Sequence, residues 1–125
     1  MFLALGFGPA TPVLASKLSI PYYSTSTAEQ IVDAYAVHWG VSGDQMWATI
    51  QCEDPSLDPT AQSTDYLNGV REDSWGVAQI HLTAHLDITK AEEQDPFFAI
   101  NWMAKEFSLG HQSEWTCWRK AHPTQ

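Results

Sequence analysis

Residues 42–55 read SGDQMWATIQCEDP, and this stretch decides the fold. Its opening Ser42, with Gln45 three residues later, matches a capping box, which marks the start of a helix. Apolar residues then recur at helical spacing. The proline at the end stops the helix, because a residue before proline avoids the helical region. The stretch therefore predicts an amphipathic helix that finishes on Glu53.

Glu53 is the first candidate for chemistry. On this helix it follows Trp47 and Ile50, and a carboxyl held against apolar side chains is desolvated. Desolvation disfavours the charged form and raises the pKa, which is how a carboxylic acid stays protonated for proton donation near neutral pH. The alternative is an ordinary solvated glutamate at a helix end, and the residues of this helix alone leave both readings open.

The flanking sequence predicts further helices around one small β region. Thr27 and Gln30 form a second capping box, for a helix from residue 28 to about 39 that ends before Gly40. Asn68-Gly69 favours a tight hairpin over 66–73. We expect the remaining segments to be a short helix within 75–85, a short helix after a capping box at 89–92, and a longer helix from Asp95-Pro96 to Gly110. The fold class is thus mostly α (α+β).

Composition excludes several function classes. The 125 residues carry a net charge of −9, so they lack the basic footprint on which nucleic-acid binding rests. No apolar run reaches the roughly 18–20 residues that a membrane-spanning helix needs. With 44% hydrophobic residues the chain can bury a real core, and its length suits a single domain.

The N-terminal residues differ from the rest. Residues 1–15 are apolar and uncharged, and 13–15 resemble a small-residue cleavage site. This is a degenerate secretory signal without its positive region, and the alternative is an extended arm. We therefore divide the chain into an apolar segment with linker at 1–26 and a folded domain at 27–125. Cys52 and Cys117 could form one disulfide or remain two buried thiols.

Other residues have two readings each. Asn101 lies on the apolar stripe of the last long helix. Its amide is either hydrogen-bonded within the core or a donor that lines a cleft. His81 and His85 have a spacing that could hold a metal, although core or surface histidines suit it better. Glu72 and Asp73 follow the hairpin. Either one of them supplies a second catalytic carboxylate, or both belong to a solvated charged turn.

Three segments in order resemble the lysozyme-like lytic transglycosylase domain. They are Ala48–Glu53, Leu57–Ser63 and Asp73–Ile80, and the family correspondingly shows a helix ending in Glu-Ser, an N-P-x-A-x-S loop and a G-L-x-Q-I motif. Asp95–Trp102 matches the helix that follows in the family. The resemblance covers residues 28–120 and implies a lysozyme-like helical domain with a small β-hairpin region.

The resemblance also implies roles for single residues. Glu53 falls on the catalytic acid/base, Gln79 on the glutamine that lines the sugar-binding cleft, and Ser63 on the serine that closes the bracing loop. Asn101 falls near a cleft-facing polar position, and Trp75 is a candidate for stacking on sugar faces. One departure is Asp54, where the family usually has serine. It could raise the pKa of Glu53 further or point to solvent.

The implied reaction is cleavage of the β-1,4 bond between N-acetylmuramic acid and N-acetylglucosamine in peptidoglycan, with formation of a 1,6-anhydro ring. It needs a single carboxyl group, no metal and no cofactor. A hydrolytic muramidase using Glu72 or Asp73, and a non-catalytic glycan-binding module, are the alternatives. The expected partner is the glycan strand, and the expected protein is a monomer that is exported or phage-associated. An oxidising compartment would favour the disulfide.

Overall fold

The computed structural model of the protein describes residues 24–123. Their fold is mostly α with a small β region, which confirms the predicted class. Five α-helices are present among the described residues: α1 (Thr25–Trp39), α2 (Gly43–Glu53), α3 (Lys90–Glu93), α4 (Pro96–Ser108) and α5 (Thr116–Ala121). Four short strands form two antiparallel pairs: β1 (Tyr66–Leu67) with β2 (Val70–Arg71), and β3 (Ser74–Trp75) with β4 (Ile80–His81).

The start of α1 differs from the prediction. Ser24, not Thr27, is the N-cap, and its side chain accepts a hydrogen bond from the Thr27 backbone N–H at 3.3 Å. The two hydroxyl groups lie 3.0 Å apart, so Thr27 belongs to the first turn of the helix. Serine and threonine are both common N-caps. The helix capped by Ser24 is about one turn longer than the helix predicted to begin after Thr27. The other end is as predicted, with Gly40 in the left-handed conformation at φ 68°.

The caps predicted for the other helices are confirmed. The Ser42 side chain accepts from Gln45 at the start of α2, which ends on Glu53. Thr89 and Glu92 form a complete capping box, and Asp95 caps α4 with proline in its first turn. These local side-chain to backbone bonds satisfy the amide groups that a helix leaves unpaired at its start.

The segment 75–85, predicted as a short helix, is instead β3, a turn, β4 and one 3₁₀ turn. Two residues in it adopt left-handed backbone angles, Gly76 at φ 77° and Gln79 at φ 49°, which a helix cannot contain. A side chain at Gly76 would collide with the backbone carbonyl of Glu93, so this contact requires glycine. The apolar pattern of the segment reflects burial of Val77 and Ile80, not helical periodicity.

The core lies between α1, α2 and α4. These helices and the β3–β4 turn bury one continuous apolar cluster, which includes Ile31, Val32, Tyr35, Met46, Ile50, Val77, Ile80, Ile100, Met103 and Phe107. Trp115 closes it from the C-terminal side and donates its indole N–H to the Ala78 carbonyl at 2.7 Å. The aromatic segment near residue 115 therefore returns to the core.

A disulfide joins Cys52 on α2 to Cys117 on α5, with Cα atoms 6.0 Å apart. It fixes the position of the short helix α5, which also packs against α2. The apolar segment predicted as a degenerate signal lies at 1–15, outside the described residues. The helix α1 begins two residues before the predicted domain boundary at 27. No helix within residues 24–123 has the length and hydropathy needed to cross a membrane.

Glu93 is a buried acid beside the β3–β4 segment. It is fully buried, and neither of its carboxyl oxygens has a hydrogen-bond partner. Burial, and to a lesser degree the charge of Asp73, raises the pKa of Glu93 to about 8. In the unfolded chain a glutamate ionises near pH 4.3. The folded state therefore holds a proton that the unfolded state releases.

Replacement of this acid should stabilise the protein at neutral pH. Because the pKa of Glu93 is raised on folding, its share of the stability is present below about pH 4 and is lost as pH rises toward 8. We expect Glu93→Gln to match the parent at pH 4 and to exceed its free energy of unfolding by on the order of 2 kcal/mol at pH 7. Urea unfolding at both pH values measures this, with exposed Glu29→Gln as the control. An equal gap at both pH values would contradict the assignment.

Loss of the disulfide should destabilise the fold substantially. The bond spans a sequence separation of 65 residues. By the loop-entropy relation, we expect Cys52→Ala/Cys117→Ala to lower the free energy of unfolding by about 4 kcal/mol. Denaturant unfolding with and without a reductant tests this, since the reductant should affect only the parent. Equal midpoints for the parent and the double variant in the absence of reductant would refute it.

Candidate active site

A polar cleft of about 570 Å³ opens between the end of α2, the loop after it, the base of the β1–β2 hairpin and the start of α5. The residues that line it come from these four parts of the chain and from the β3–β4 turn: Cys52, Glu53, Asp54, Pro55, Ser56, Ala61, Gln62, Ser63, Thr64, Asp65, Glu72, Gln79, Thr116, Cys117 and Lys120. Three of the predicted site residues, Glu53, Gln79 and Ser63, meet here. The candidate second carboxylate Glu72 lines the same cleft.

Glu53 lies at the end of α2 and is half-buried in the cleft. Its Oε2 atom accepts a hydrogen bond from the Cys117 backbone N–H at 2.9 Å. Burial raises the pKa of this carboxyl, the Cys117 hydrogen bond lowers it, and the charge of Glu72 raises it; the net pKa lies above the usual range. The physical condition for a proton donor, a desolvated carboxyl that opens onto a cleft, is present at this residue.

Asp54, the departure from the family pattern, is buried and does not point to solvent. Its Oδ1 atom accepts a hydrogen bond from the Ser56 hydroxyl, and its Oδ2 atom has no partner. Burial also raises the pKa of this carboxyl. Asp54 thus places a second desolvated acid next to Glu53 in the chain and against the same cleft.

Glu72 and Asp73 have different surroundings. Glu72 lies at the end of the hairpin, where its backbone N–H donates to the Asp65 carbonyl at 2.8 Å, and both residues line the cleft. Asp73 accepts a hydrogen bond from the Trp75 indole N–H at 2.6 Å and is not part of the cleft lining in the described region. Of the two, Glu72 is the carboxylate in position to act with Glu53.

Gln79 contributes one oriented amide. Its Nε2 atom donates to the Gly76 carbonyl at 2.8 Å and to the Ala61 carbonyl at 3.2 Å. These bonds fix the side chain and hold the loop before β1 against the β3–β4 turn. Because both amide hydrogens are engaged, the amide oxygen is the atom left to accept a hydrogen bond from a ligand.

Ser63 holds the loop that faces Glu53. Its backbone N–H donates to the Ser74 carbonyl at 2.8 Å, and its hydroxyl accepts from the Asp65 N–H at 3.1 Å. Its carbonyl accepts from the Arg71 Nε at 2.7 Å. Ser63 therefore braces the hairpin and one wall of the cleft; its predicted contact with substrate stays a prediction.

Asn101 and Trp75 lie away from this cleft. The Asn101 Oδ1 atom accepts from the Trp39 indole N–H at 2.8 Å, so the amide joins α4 to α1. The Trp75 ring lies under the Lys90 ammonium group, with Nζ 3.8 Å from the ring centroid. Neither residue is among the cleft lining within 24–123. Asn101 makes the contact of a satisfied core amide, one of its two predicted roles, and sugar stacking by Trp75 stays a prediction. The Trp39 indole that Asn101 contacts cannot be recognised from the apolar stripe of a single helix.

His81 ends β4, whereas His85 follows the 3₁₀ turn after it. Within the described chain, the set of side chains whose donor atoms come close enough for a metal consists of Glu106, His111 and Glu114. His85 approaches Glu114 and packs edge-on against Trp102, at 4.8 Å between ring centroids. The i, i+4 spacing does not place the two histidines on one α-helical face, since 81–85 is a strand end and a 3₁₀ turn.

Sequence reasoning missed the backbone amide of Cys117 as a site element. The signal was present, because a disulfide from the residue before Glu53 must bring residue 117 to the same end of α2. It also missed Lys120, the basic side chain on a wall otherwise crowded with carboxylates, and Asp65 beside Glu72.

The arrangement can transfer a proton between Glu53 and a polar ligand, with Gln79 as an acceptor and Glu72 as a second carboxylate. Comparisons with protein-family models, with curated proteins and with solved structures find no match to this chain.

Proposed function

We propose that the protein cleaves the β-1,4 bond between N-acetylmuramic acid and N-acetylglucosamine in peptidoglycan, as a lytic transglycosylase with Glu53 as its single acid/base. The observation that carries the proposal is the Glu53 carboxyl, half-buried in a polar cleft and held by the Cys117 N–H at 2.9 Å. The ordered motifs that resemble the lysozyme-like family agree with it.

The Cys117 hydrogen bond distinguishes the two oxygens of Glu53. Oε2 accepts the backbone N–H, so the proton of the neutral acid belongs on Oε1. Oε1 is then the atom that donates to the glycosidic oxygen. When Glu53 ionises, the same N–H stabilises the carboxylate without reorientation, which suits a group that must first give a proton and then take one.

The proposed reaction has two proton transfers. In the first, Glu53 donates its proton to the glycosidic oxygen, the C1–O bond breaks, and the 2-acetamido oxygen of the muramic acid residue stabilises the cation at C1. In the second, ionised Glu53 takes the proton of the C6 hydroxyl, whose oxygen bonds to C1 and closes the 1,6-anhydro ring. The acid is regenerated, and no water is consumed.

The cleft walls suit a glycan strand. Gln79 offers an oriented amide oxygen to a sugar hydroxyl or acetamido N–H. Sugar recognition needs such polar groups on a fixed backbone, and Ser63 and Arg71 hold the hairpin wall in place. Lys120 supplies a positive charge for the carboxylates of the muramic acid or its peptide.

Hydrolysis is the second candidate, because Glu72 lines the same cleft and its charge is felt by Glu53. If Glu72 held a water as general base, C1 would be attacked by water and the enzyme would be a muramidase on the same site. The Cys52–Cys117 disulfide supports an oxidising location and hence export, as the N-terminal sequence suggests. The monomeric state stays a prediction.

Two substitutions and one product analysis test the proposal together. We expect Glu53→Gln to lower turnover of purified peptidoglycan by at least about 10²-fold, because the amide keeps the shape but cannot exchange the proton. Its stability should be equal to or above that of the parent, since a desolvated acid is removed. Glu72→Gln should change turnover only a few-fold, and Glu29→Gln is the exposed control.

Mass spectrometry of the digest identifies the reaction. Products with 1,6-anhydro ends support transglycosylation, and reducing ends together with loss of activity in Glu72→Gln would replace it by hydrolysis. Activity of Glu53→Gln within a few-fold of the parent would refute Glu53 as the acid. Binding of cell walls without any cleavage by the parent would favour the glycan-binding module.

A further inference from the structure

A cluster of histidine and glutamate side chains outside the cleft offers the donor atoms that a metal site needs. Glu106 lies near the end of α4, and His111 and Glu114 follow in the connection to α5. One donor atom from each of these three lies within 4.8 Å of the other two. His85, from the 3₁₀ turn after β4, reaches the same cluster.

The backbone builds this cluster, not chance rotamers. Gly110, at φ 81°, reverses the chain after α4. The Gly110 N–H donates to the Phe107 carbonyl at 3.0 Å and the His111 N–H to the Glu106 carbonyl at 2.9 Å, which is the bonding pattern of a Schellman motif. His111 is thereby fixed next to Glu106.

The third donor follows from a 3₁₀ turn. The Glu114 N–H donates to the His111 carbonyl at 3.0 Å. In such a turn the side chains at i and i+3 project from the same side, so Glu114 comes back over His111. Three donors within nine residues are therefore held together by local backbone hydrogen bonds.

The distances between donor atoms fit a small tetrahedral ion. His111 Nδ1 lies 2.9 Å from Glu106 Oε1 and 3.7 Å from Glu114 Oε2. His85 Nε2 lies 3.8 Å from Glu114 Oε1. Zinc bonds of roughly 2.0–2.2 Å to nitrogen and oxygen place neighbouring ligand atoms of a tetrahedron about 3.3–3.5 Å apart. The two distances from His111 lie on either side of this spacing, and the distance from His85 to Glu114 lies slightly above it.

The negative charge of the cluster also favours a bound cation. Glu106 and Glu114 are two neighbouring carboxylates, and within residues 24–123 no lysine or arginine nitrogen lies within 4 Å of either. A divalent ion would balance the charge of these two carboxylates.

We propose that Glu106, His111 and Glu114, with His85 as the fourth donor, bind a divalent transition-metal ion of the zinc class. Two imidazoles and two carboxylates favour zinc and its neighbours over magnesium or calcium, which prefer all-oxygen ligands. The ion would tie the end of α4 and the connection to α5 to the β4 turn, next to buried Trp115. This site has no part in the proposed cleavage and is independent of it.

Calorimetric titration of the metal-stripped full chain with zinc chloride tests the proposal. We expect one ion per chain, a rise of several degrees in melting temperature with excess zinc, and no rise with magnesium or calcium. Because the ligands must lose protons, zinc affinity should increase at least about tenfold between pH 6 and pH 8, with proton release seen as a buffer-dependent heat.

Variants assign the ligands. Glu114→Gln and His111→Gln should each abolish the thermal shift, and His85→Gln should weaken zinc binding at least about tenfold. His38→Gln and Glu29→Gln, on the exposed face of α1, are the matched controls and should bind zinc like the parent. Melting in EDTA verifies that every variant is folded. Absence of zinc binding by the parent, or binding that survives both Glu114→Gln and His111→Gln, would overturn the proposal.

Discussion

The hydrogen bond from the Cys117 N–H to Glu53, together with the disulfide one residue away, is the constraint around which the cleft is arranged. One residue of α2 carries the covalent link, and the next carries the carboxyl that receives the amide. The position of α5 and the orientation of Glu53 are therefore set by the same pair of residues. The disulfide limits how far the two helices can separate, so the amide stays within reach of the acid.

Several carboxyl groups of the protein are buried, and their burial affects the free energy of folding. Glu53, Asp54 and Glu93 all have a pKa raised chiefly by burial. Each one costs folding free energy at neutral pH, and each lies at or behind the segments that form the cleft wall. For Glu53 the proposed reaction gives this cost a use, since a proton donor needs the neutral form. Glu93 touches no ligand surface, and its burial follows from the contact of its backbone with Gly76.

The apolar cluster and the disulfide are what offset these costs. A fold of this size has little stability to spare, and a small domain gains much from a cross-link over a long loop. The packing of the helical core thus offsets the free-energy cost of a strained and charged loop region. Three residues other than glycine adopt left-handed backbone angles, and all three belong to that loop region: Leu57, Asn68 and Gln79.

The sequence predicted the features that depend on neighbouring residues. Helix caps at Ser42, Thr89 and Asp95, and the hairpin at Asn68-Gly69, are local patterns, and the structure confirms them. Convergence of Glu53 and Gln79 on one cleft was anticipated only through the family resemblance.

Features that depend on distant contacts were not accessible in the same way. The helix expected within 75–85 is absent because Gly76 and Gln79 adopt left-handed angles, and Gly76 packs closely against the distant Glu93 carbonyl. The partner of Asn101 is Trp39, 62 residues away. Neither fact can be read from a window of a dozen residues.

The distance along the chain between Glu53 and its amide donor also has a consequence for the order of events. The donor belongs to α5, the last described helix, and the contact spans 64 residues. During synthesis Glu53 exists long before residue 117 has been made, so the emerging chain carries the acid in an open, fully hydrated state. The complete carboxyl–amide pair arises only after α5 docks. The complete site thus needs two distant parts of the chain, and a fragment that ends before residue 115 would carry the acid without its partner.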